Sequence, residues 1–594
     1  MHRFARFLQI VCTSLLALLV VGSLSADPPA KDSAKKPVVQ LPVGTLDAKD
    51  WLKASTKPLA KGEIDQLINA ELAKVNVKAA GRTTDEQFIR RVYLDLTGRL
   101  PTPSDIAAFG QDGSSDKRLK LIDKLLDSNE YARHWGQYWR TVVTSRAELN
   151  FQSLPLVPHF ERWLVEQFKA NKGWDSITRD ILTSSGKMLN AEPDKNGQAF
   201  FLISRRGEDA VTEIAAEASR IFLGIQIQCA QCHDHPSDVW KRQNFHEFAA
   251  FFARYRSIPV REEMKFIGAE IRAIPFGEHG MPDKDDPKKR TSMSPRFLDG
   301  KSPGKATGPV IINGQKGGFP KGGFGKGGFG GAGGLSDDAR RKALADYVVS
   351  KDDPWFAAAF VNRTWGEFMG QSFYMPIDDL GPQKDAMMPI VVARVSAAFR
   401  GNGYDIKQLF RDIMSSDAYQ RQIRPGESGD EHLLFATRNP VRMDSNALWQ
   451  SLTNTLGPIS QGGFGFGKGG AAGGPFARFG GLEQQFKREF AFDPSSRPEE
   501  IEGSISQALI LMNNLQIQAK VKASGSNMLG KVLATYSQND EAIRAVYLKT
   551  LSRRPTDREL TRCREFIENI GDRNEAFEDI LWALINSTEY QMRR

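Results

Sequence analysis

Cysteine is scarce in this chain, with four in 594 residues. A chain of this length can bury sizeable cores without covalent staples, and so few cysteines exclude a disulfide framework. Long apolar runs are also missing after about residue 21, and a membrane-spanning helix needs about 20 apolar residues. No integral span is therefore expected in the body of the chain. Charge of one sign does not dominate either. The formal net charge is +9 over the whole length, a mild bias without the clustered basic face that nucleic acid requires. Nucleotide-binding fingerprints, P-loops and nucleophile elbows are absent as well, so no enzymatic activity is assigned from motifs.

What is present begins at the N-terminus. Arg3 and Arg6 precede an apolar run from Phe7 to Val21, then small residues at Ser23, Ser25 and Ala26. This pattern is expected to be a secretory signal over 1–26, cut after Ser25 or Ala26. The body of the protein is then exported: periplasmic, extracellular or at the cell surface. Cys12 leaves with the signal, and Cys229, Cys232 and Cys563 stay. Cys563 falls in a helical pattern, "ELTRCREFIENI", and reads as an apolar residue.

Helical periodicity dominates the rest. The expected class is mainly α: two helical domains, a small irregular or β-like insert and two flexible glycine-rich tracts. A linker and first helix (27–80) precede a helical domain (81–256). An irregular insert (257–334) follows, with short strands expected in "MKFIGAEIRAIPFG" and a KGGF-repeating tract at its end. A second helical domain (335–594) carries another glycine-rich tract near 461–481. Its end repeats the unit at 88–105: "IRAVYLKTLSRRPTDREL" matches "IRRVYLDLTGRLPTPSDI" at a constant offset. Ile89, Arg90, Arg99, Pro101 and Thr102 recur as Ile543, Arg544, Arg553, Pro555 and Thr556. Both copies are followed by a similar phrase, "SNEY" from Ser128 and "STEY" from Ser587. A further echo links "DILTSS" from Asp180 to "DIMSSDAY" from Asp412. One helical unit therefore recurs, too widely spaced for a solenoid.

The densest chemistry is in "QCAQCHDHPSDVW", Gln228 to Trp240. Cys229, Cys232 and His233 form C-x-x-C-H, which this composition would produce by chance about 4 times in 10,000. Two cysteines at this spacing can form thioethers with the two vinyl groups of a haem, and the next histidine can be the proximal iron ligand. That attachment occurs outside the cytoplasm, in keeping with export. The sixth ligand is open: His246 is the distal candidate, with Met264, Met293, Met369 and Met375 also considered, and five-coordinate iron is equally compatible. Asp234, Asp238 and the carbonyl of Pro236 are candidates to hold the other nitrogen of His233. Three alternatives stand beside haem. Zinc would take Cys229, Cys232 and two of His233, His235 and His246. A redox dithiol or a plain disulfide needs only the cysteines. Asp378 and Asp379, in "MPIDDLG", suggest acid–base or cation work, or a turn. Trp135, Trp139, Trp163, Trp355 and Trp365 are expected in cores, and Trp240 beside the motif.

Taken together, these phrases resemble a family of large secreted planctomycete proteins. They pair a cytochrome C-like domain with a C-terminal domain of unknown function. "DEQFIRRVYLDLTGRLPTPSDI", "SDKRLKLIDKLLDSNEYARHW", "FLGIQIQCAQCHDHPSDVW" and "FHEFAAFFAR" carry the first resemblance. "DDPWFAAAFVNRTWGEFMGQSF", "NPVRMDSNALWQSL", "SQALILMNNLQIQ" and "VYLKTLSRRPTDREL" carry the second. It spans Thr84 to Arg254 and Leu335 to the end. The glycine–phenylalanine–lysine tracts depart from the family's usual pattern. The resemblance implies one covalent haem c at Cys229, Cys232 and His233, and the reading built on it is electron transfer or haem-dependent redox chemistry with an unidentified redox partner. The other expectation is a secreted scaffold or binding protein, linked to the cell surface or polysaccharide machinery, whose C-x-x-C is a disulfide or metal site.

Overall fold

The structure, a computed structural model, describes residues 42–46, 48–286, 288–304, 335–423, 434–459, 481–497, 500–501 and 503–593. The expected signal segment and both glycine-rich tracts lie outside the described residues. The chain from Leu41 onward forms one compact unit. Helices dominate it, as the periodicity predicts, and the strands are short.

Part of the expected linker is built into the fold. Val43–Thr45 pairs antiparallel with Asp385–Met387. The helix Ala48–Lys53 follows, and its Trp51 is buried and meets Trp355 edge-on, with ring centroids 6.0 Å apart. Burial of one large indole anchors a segment whose Pro, Lys and Ala content reads as solvated.

Helices from the two halves of the sequence share one aromatic core. Asn129–Thr144 supplies Trp135 and Trp139, Trp174–Leu182 supplies Trp174, and Pro354–Met369 supplies Phe360 and Phe368. Trp139 stacks on Phe360 at 5.4 Å and lies 4.2 Å from Trp174, while Trp135 contacts Phe410 at 4.3 Å. Each such pair adds about 0.5–1.5 kcal/mol beyond its area burial.

The two matching stretches fold into corresponding helices. Asp85–Thr97 and Asn539–Leu551 are the equivalent first helices, and Pro103–Gln111 and Asp557–Ile570 the second. Both second helices open on a capping box, Thr102 with Asp105 and Thr556 with Glu559. Ser128 and Ser587 cap the helices that follow, each accepting the N–H of a tyrosine, Tyr131 and Tyr590. Arg99 pairs with Glu130 at 3.2 Å, and Arg553 with Glu589 at 2.7 Å. The echo at Asp412 behaves likewise, with Ser416 capping Tyr419. The two copies also meet: Leu94 and Leu100 pack in one cluster with Ile543, Val546 and Tyr547.

The β-like insert is a three-stranded antiparallel sheet in the order Gly186–Leu189, Lys265–Ala273, Tyr255–Glu262. A hairpin of His279–Pro282 with Arg290–Met293 follows it. The first strand comes from the helical region, which the sequence pattern does not predict.

Candidate functional site

The expected helix upstream of C-x-x-C-H runs Ala210–Ala218 and widens into a π-helical turn over Ser219–Leu223. Gly224 stops it in the left-handed region (φ 67°). Such turns carry an extra residue per turn and are frequent at functional sites. Ile225 and Ile227 are then buried, and Gln228–Gln231 forms a single 3-10 turn in which only Ala230 is buried.

That alternation sets the chemistry. With Ala230 inward, Cys229 and Cys232 are both exposed, and both thiols are free. His233 is exposed too, and its Nδ1 donates to the backbone carbonyl of Asp234 at 2.7 Å. Neither carboxylate nor the Pro236 carbonyl expected for this role supplies that bond. The Asp234 carboxylate instead accepts the N–H of Arg242 at 3.0 Å and the ammonium of Lys241 at 3.3 Å. The Arg242 N–H and then Lys241 hold its pKa below the ordinary carboxylate value. Asp238 accepts its neighbour's N–H, from Val239, at 2.7 Å. His235 is a turn residue: its Nδ1 accepts the N–H of Ser237 at 3.3 Å, and its own N–H donates to the Trp240 carbonyl at 2.8 Å. Trp240 is buried.

His246 lies on the buried side of the turn, in the helix Arg242–Ala249, with only 2% of its surface exposed. Its Nε2 donates to the Gln231 carbonyl at 3.0 Å. A carbonyl only accepts, so the proton sits on Nε2, and Nδ1 accepts from Nε2 of His279 at 2.8 Å. The two rings stack at 5.1 Å. Burial pushes both imidazoles down, His279 to about 4 with the neighbouring His246 adding to the effect. Binding of iron by His246 would require one of these two bonds to break. Among the methionines, Met264 is exposed in the turn after Tyr255–Glu262, while Met293 and Met369 are buried. Met375 accepts a hydrogen bond from the hydroxyl of Ser372.

Asp378 and Asp379 do different jobs from those their adjacency suggests. Asp378 is 1% exposed. Its Oδ2 accepts from Arg220 at 2.8 Å, and its Oδ1 from Gln226 at 2.6 Å. Burial would raise its pKa, but Arg220, Arg363 and Arg146 outweigh it and hold the group ionised. Asp379 pairs with Lys384 at 3.0 Å. The role of Asp378 depends on contacts far along the chain, and Gln226 carries no sequence signal at all.

The donor set fits a c-type attachment: two free, exposed thiols on one turn, followed by an imidazole whose Nδ1 is engaged and whose Nε2 is not. Zinc fits less well. Among the described residues no group of three or more His, Cys, Asp or Glu side chains is placed to hold a metal ion. A separate cavity of about 120 Å3, lined by Tyr138, Glu367, Asp444, Asn446, Phe492 and Arg593 among others, includes none of the C-x-x-C-H residues.

Two known families match parts of this chain. Residues 63–257 match PSCyt2, described as a protein of unknown function (DUF1549). Residues 340–466 match PSD1, also described as a protein of unknown function (DUF1553). The order of the pair is the one the sequence resemblance implies. The PSCyt2-like region takes in the helix Glu63–Lys74, ahead of the expected start, and the whole C-x-x-C-H loop. The PSD1-like region ends before the terminal repeat. No curated protein and no solved structure matches the chain. No helix among the described residues is long and apolar enough to cross a membrane.

Proposed function

We propose that this chain is an exported c-type haem protein acting in electron transfer or haem-dependent redox chemistry. The carrying observation is the pair of free, exposed thiols, one in the 3-10 turn and one directly after it, beside an imidazole already oriented through Nδ1. In this reading Cys229 and Cys232 would hold the haem through two thioether bonds. His233 would offer Nε2 to the iron, its tautomer fixed by the Nδ1 bond to the Asp234 carbonyl. The bound haem supplies reversible one-electron chemistry, tuned by ligands, hydrogen bonds and solvent exposure. An open surface turn suits direct contact with a redox partner. The name of the PSCyt2 family is in keeping with this reading, and the N-terminal signal pattern supports delivery outside the cytoplasm.

The test is expression with its signal in a host that matures c-type cytochromes. The expected result is a mass increase of one haem and a sharp α-band on reduction, both lost in Cys229→Ser and Cys232→Ser. A parent chain with neither signal overturns the proposal. The same exposed thiols favour a second reading, a redox dithiol. Thiol titration of the haem-free chain would then show reversible closure of Cys229 with Cys232.

A further inference from the structure

We propose that the Pro376–Lys384 segment of the PSD1-like region is the seat of the C-x-x-C-H loop, with Lys384 and Gly381 as its positioning residues. The consequence for a bound haem rests on the function proposed above; the seating itself does not.

The loop holds its own shape through short hydrogen bonds, such as the His235 N–H to the Trp240 carbonyl, but these do not fix its placement on the rest of the molecule. Gln228, Cys229, Cys232, His233 and Asp234 are exposed, so burial does not fix where the two sulfurs point. One foreign segment contacts both flanks instead. On the near flank, the N–H of Leu380 donates to the Gly224 carbonyl at 2.7 Å, and Asp378 holds Gln226. On the far flank, Lys384 Nζ donates to the Ser237 hydroxyl at 3.0 Å and is itself aimed by Asp379 at 3.0 Å. Gly381 is chosen for space: a Cβ there would stand 1.9 Å from Oδ2 of Asp238 and 3.0 Å from its Cγ. The other oxygen of that carboxylate accepts the N–H of Val239, so a shift of Asp238 would be felt at the far flank of the loop. The buried face is closed separately, by His246 on the Gln231 carbonyl and by Arg242 on the Pro282 carbonyl. The turn is thus gripped at both flanks by one region and at its base by another, with Cys229, Cys232 and His233 left facing solvent.

This gives the PSD1-like region a task at the site. It sets the direction in which Cys229, Cys232 and His233 are presented, although it supplies none of them. Small displacements matter there, because oriented groups lose effect when moved by about 1 Å.

The test uses the full chain made without haem maturation, and reads amide hydrogen exchange. Lys384→Met removes the donor to Ser237, and Gly381→Ala inserts the Cβ. Each is expected to speed exchange of the Ala230 and His235 amides by about tenfold, as a local opening. Amides of the helix Asn539–Leu551 serve as the reference and stay unchanged. Lys384→Arg restores protection. In haem-loaded protein, Lys384→Met shifts the midpoint potential and Lys384→Arg returns it. Unchanged loop exchange in both variants overturns the proposal, whether or not the parent chain takes haem. Absence of haem in the parent with faster loop exchange in the variants sinks only the functional reading.

Discussion

His279, half-buried, and Asp353, buried, make this protein's stability respond to pH in opposite directions. His279 is held at about 4 by burial and by His246, against an ordinary histidine value of about 6.5. As pH falls from neutral, the unfolded chain takes its proton first. Its contribution is therefore full above about 6.5 and is lost as pH falls toward 4. Arg290 adds to the push, and Arg242 acts on His246 in the same sense. Thermal unfolding followed from pH 7 to 4 should show this loss, with a shallower slope in His279→Leu. Asp353 is the reverse case. It caps the helix Pro354–Met369 by accepting the Trp355 N–H, and burial raises its pKa to about 7. Its Oδ2 has no hydrogen-bond partner. The folded state keeps the proton longer, so stability is full below the unfolded value of about 4 and falls as pH rises through 7. Asp353→Asn keeps a capping oxygen and removes the charge. It should raise the melting temperature at pH 8 while leaving it nearly unchanged at pH 4.

At the scale of elements, the repeat allows one position to be compared in two settings. The first helix of each copy ends on a left-handed residue, Gly98 (φ 62°) and Ser552 (φ 57°). A side chain in that region costs about 1–2 kcal/mol. Ser552 also buries a hydroxyl with no hydrogen-bond partner. Ser552→Gly should therefore stabilise the protein by about 1 kcal/mol, seen as a rise in denaturation midpoint. Gly98→Ser should destabilise it, because a Cβ there would lie 2.6 Å from Nδ1 of His134. If the two swaps had equal effects, local backbone preference alone would govern the position.

At the scale of the molecule, buried arginines join distant segments. Arg90 donates to the carbonyls of Thr550, Glu589 and Tyr590. Asp95, fully buried, receives Arg438 at 2.9 Å, Arg593 at 3.1 Å and the Tyr419 hydroxyl at 2.7 Å. The C-terminal end is thereby tied to the helix Asp85–Thr97. Asp95→Ala leaves Arg438 without its buried carboxylate, while Arg593 keeps Glu367, and should cost about 3–5 kcal/mol, read from the urea midpoint. A second network gathers Arg205, Glu217, Arg220, Arg363, Asp378 and Ser495 from both matched regions and beyond. These ties explain why the stretches 81–256 and 335–594, separable in sequence, share one core.

The sequence by itself determined the helical class, the helix that delivers the loop, the matching phrases at 88–105 and near the end, and the close spacing of Cys229, Cys232 and His233. All of these rest on local rules: periodicity, capping residues and short fixed spacings that act between neighbours along the chain. Tertiary structure decided the rest. It turned His235 into a turn acceptor, paired His246 with His279, placed a backbone carbonyl on His233 and made Asp378 and Lys384 partners of a loop far away in sequence. It also drew Trp51 into a core from a stretch that reads as linker. The physical reason is that a hydrogen bond or ion pair depends on which groups are brought within about 3 Å. For residues hundreds of positions apart, only the packing of the whole chain settles that.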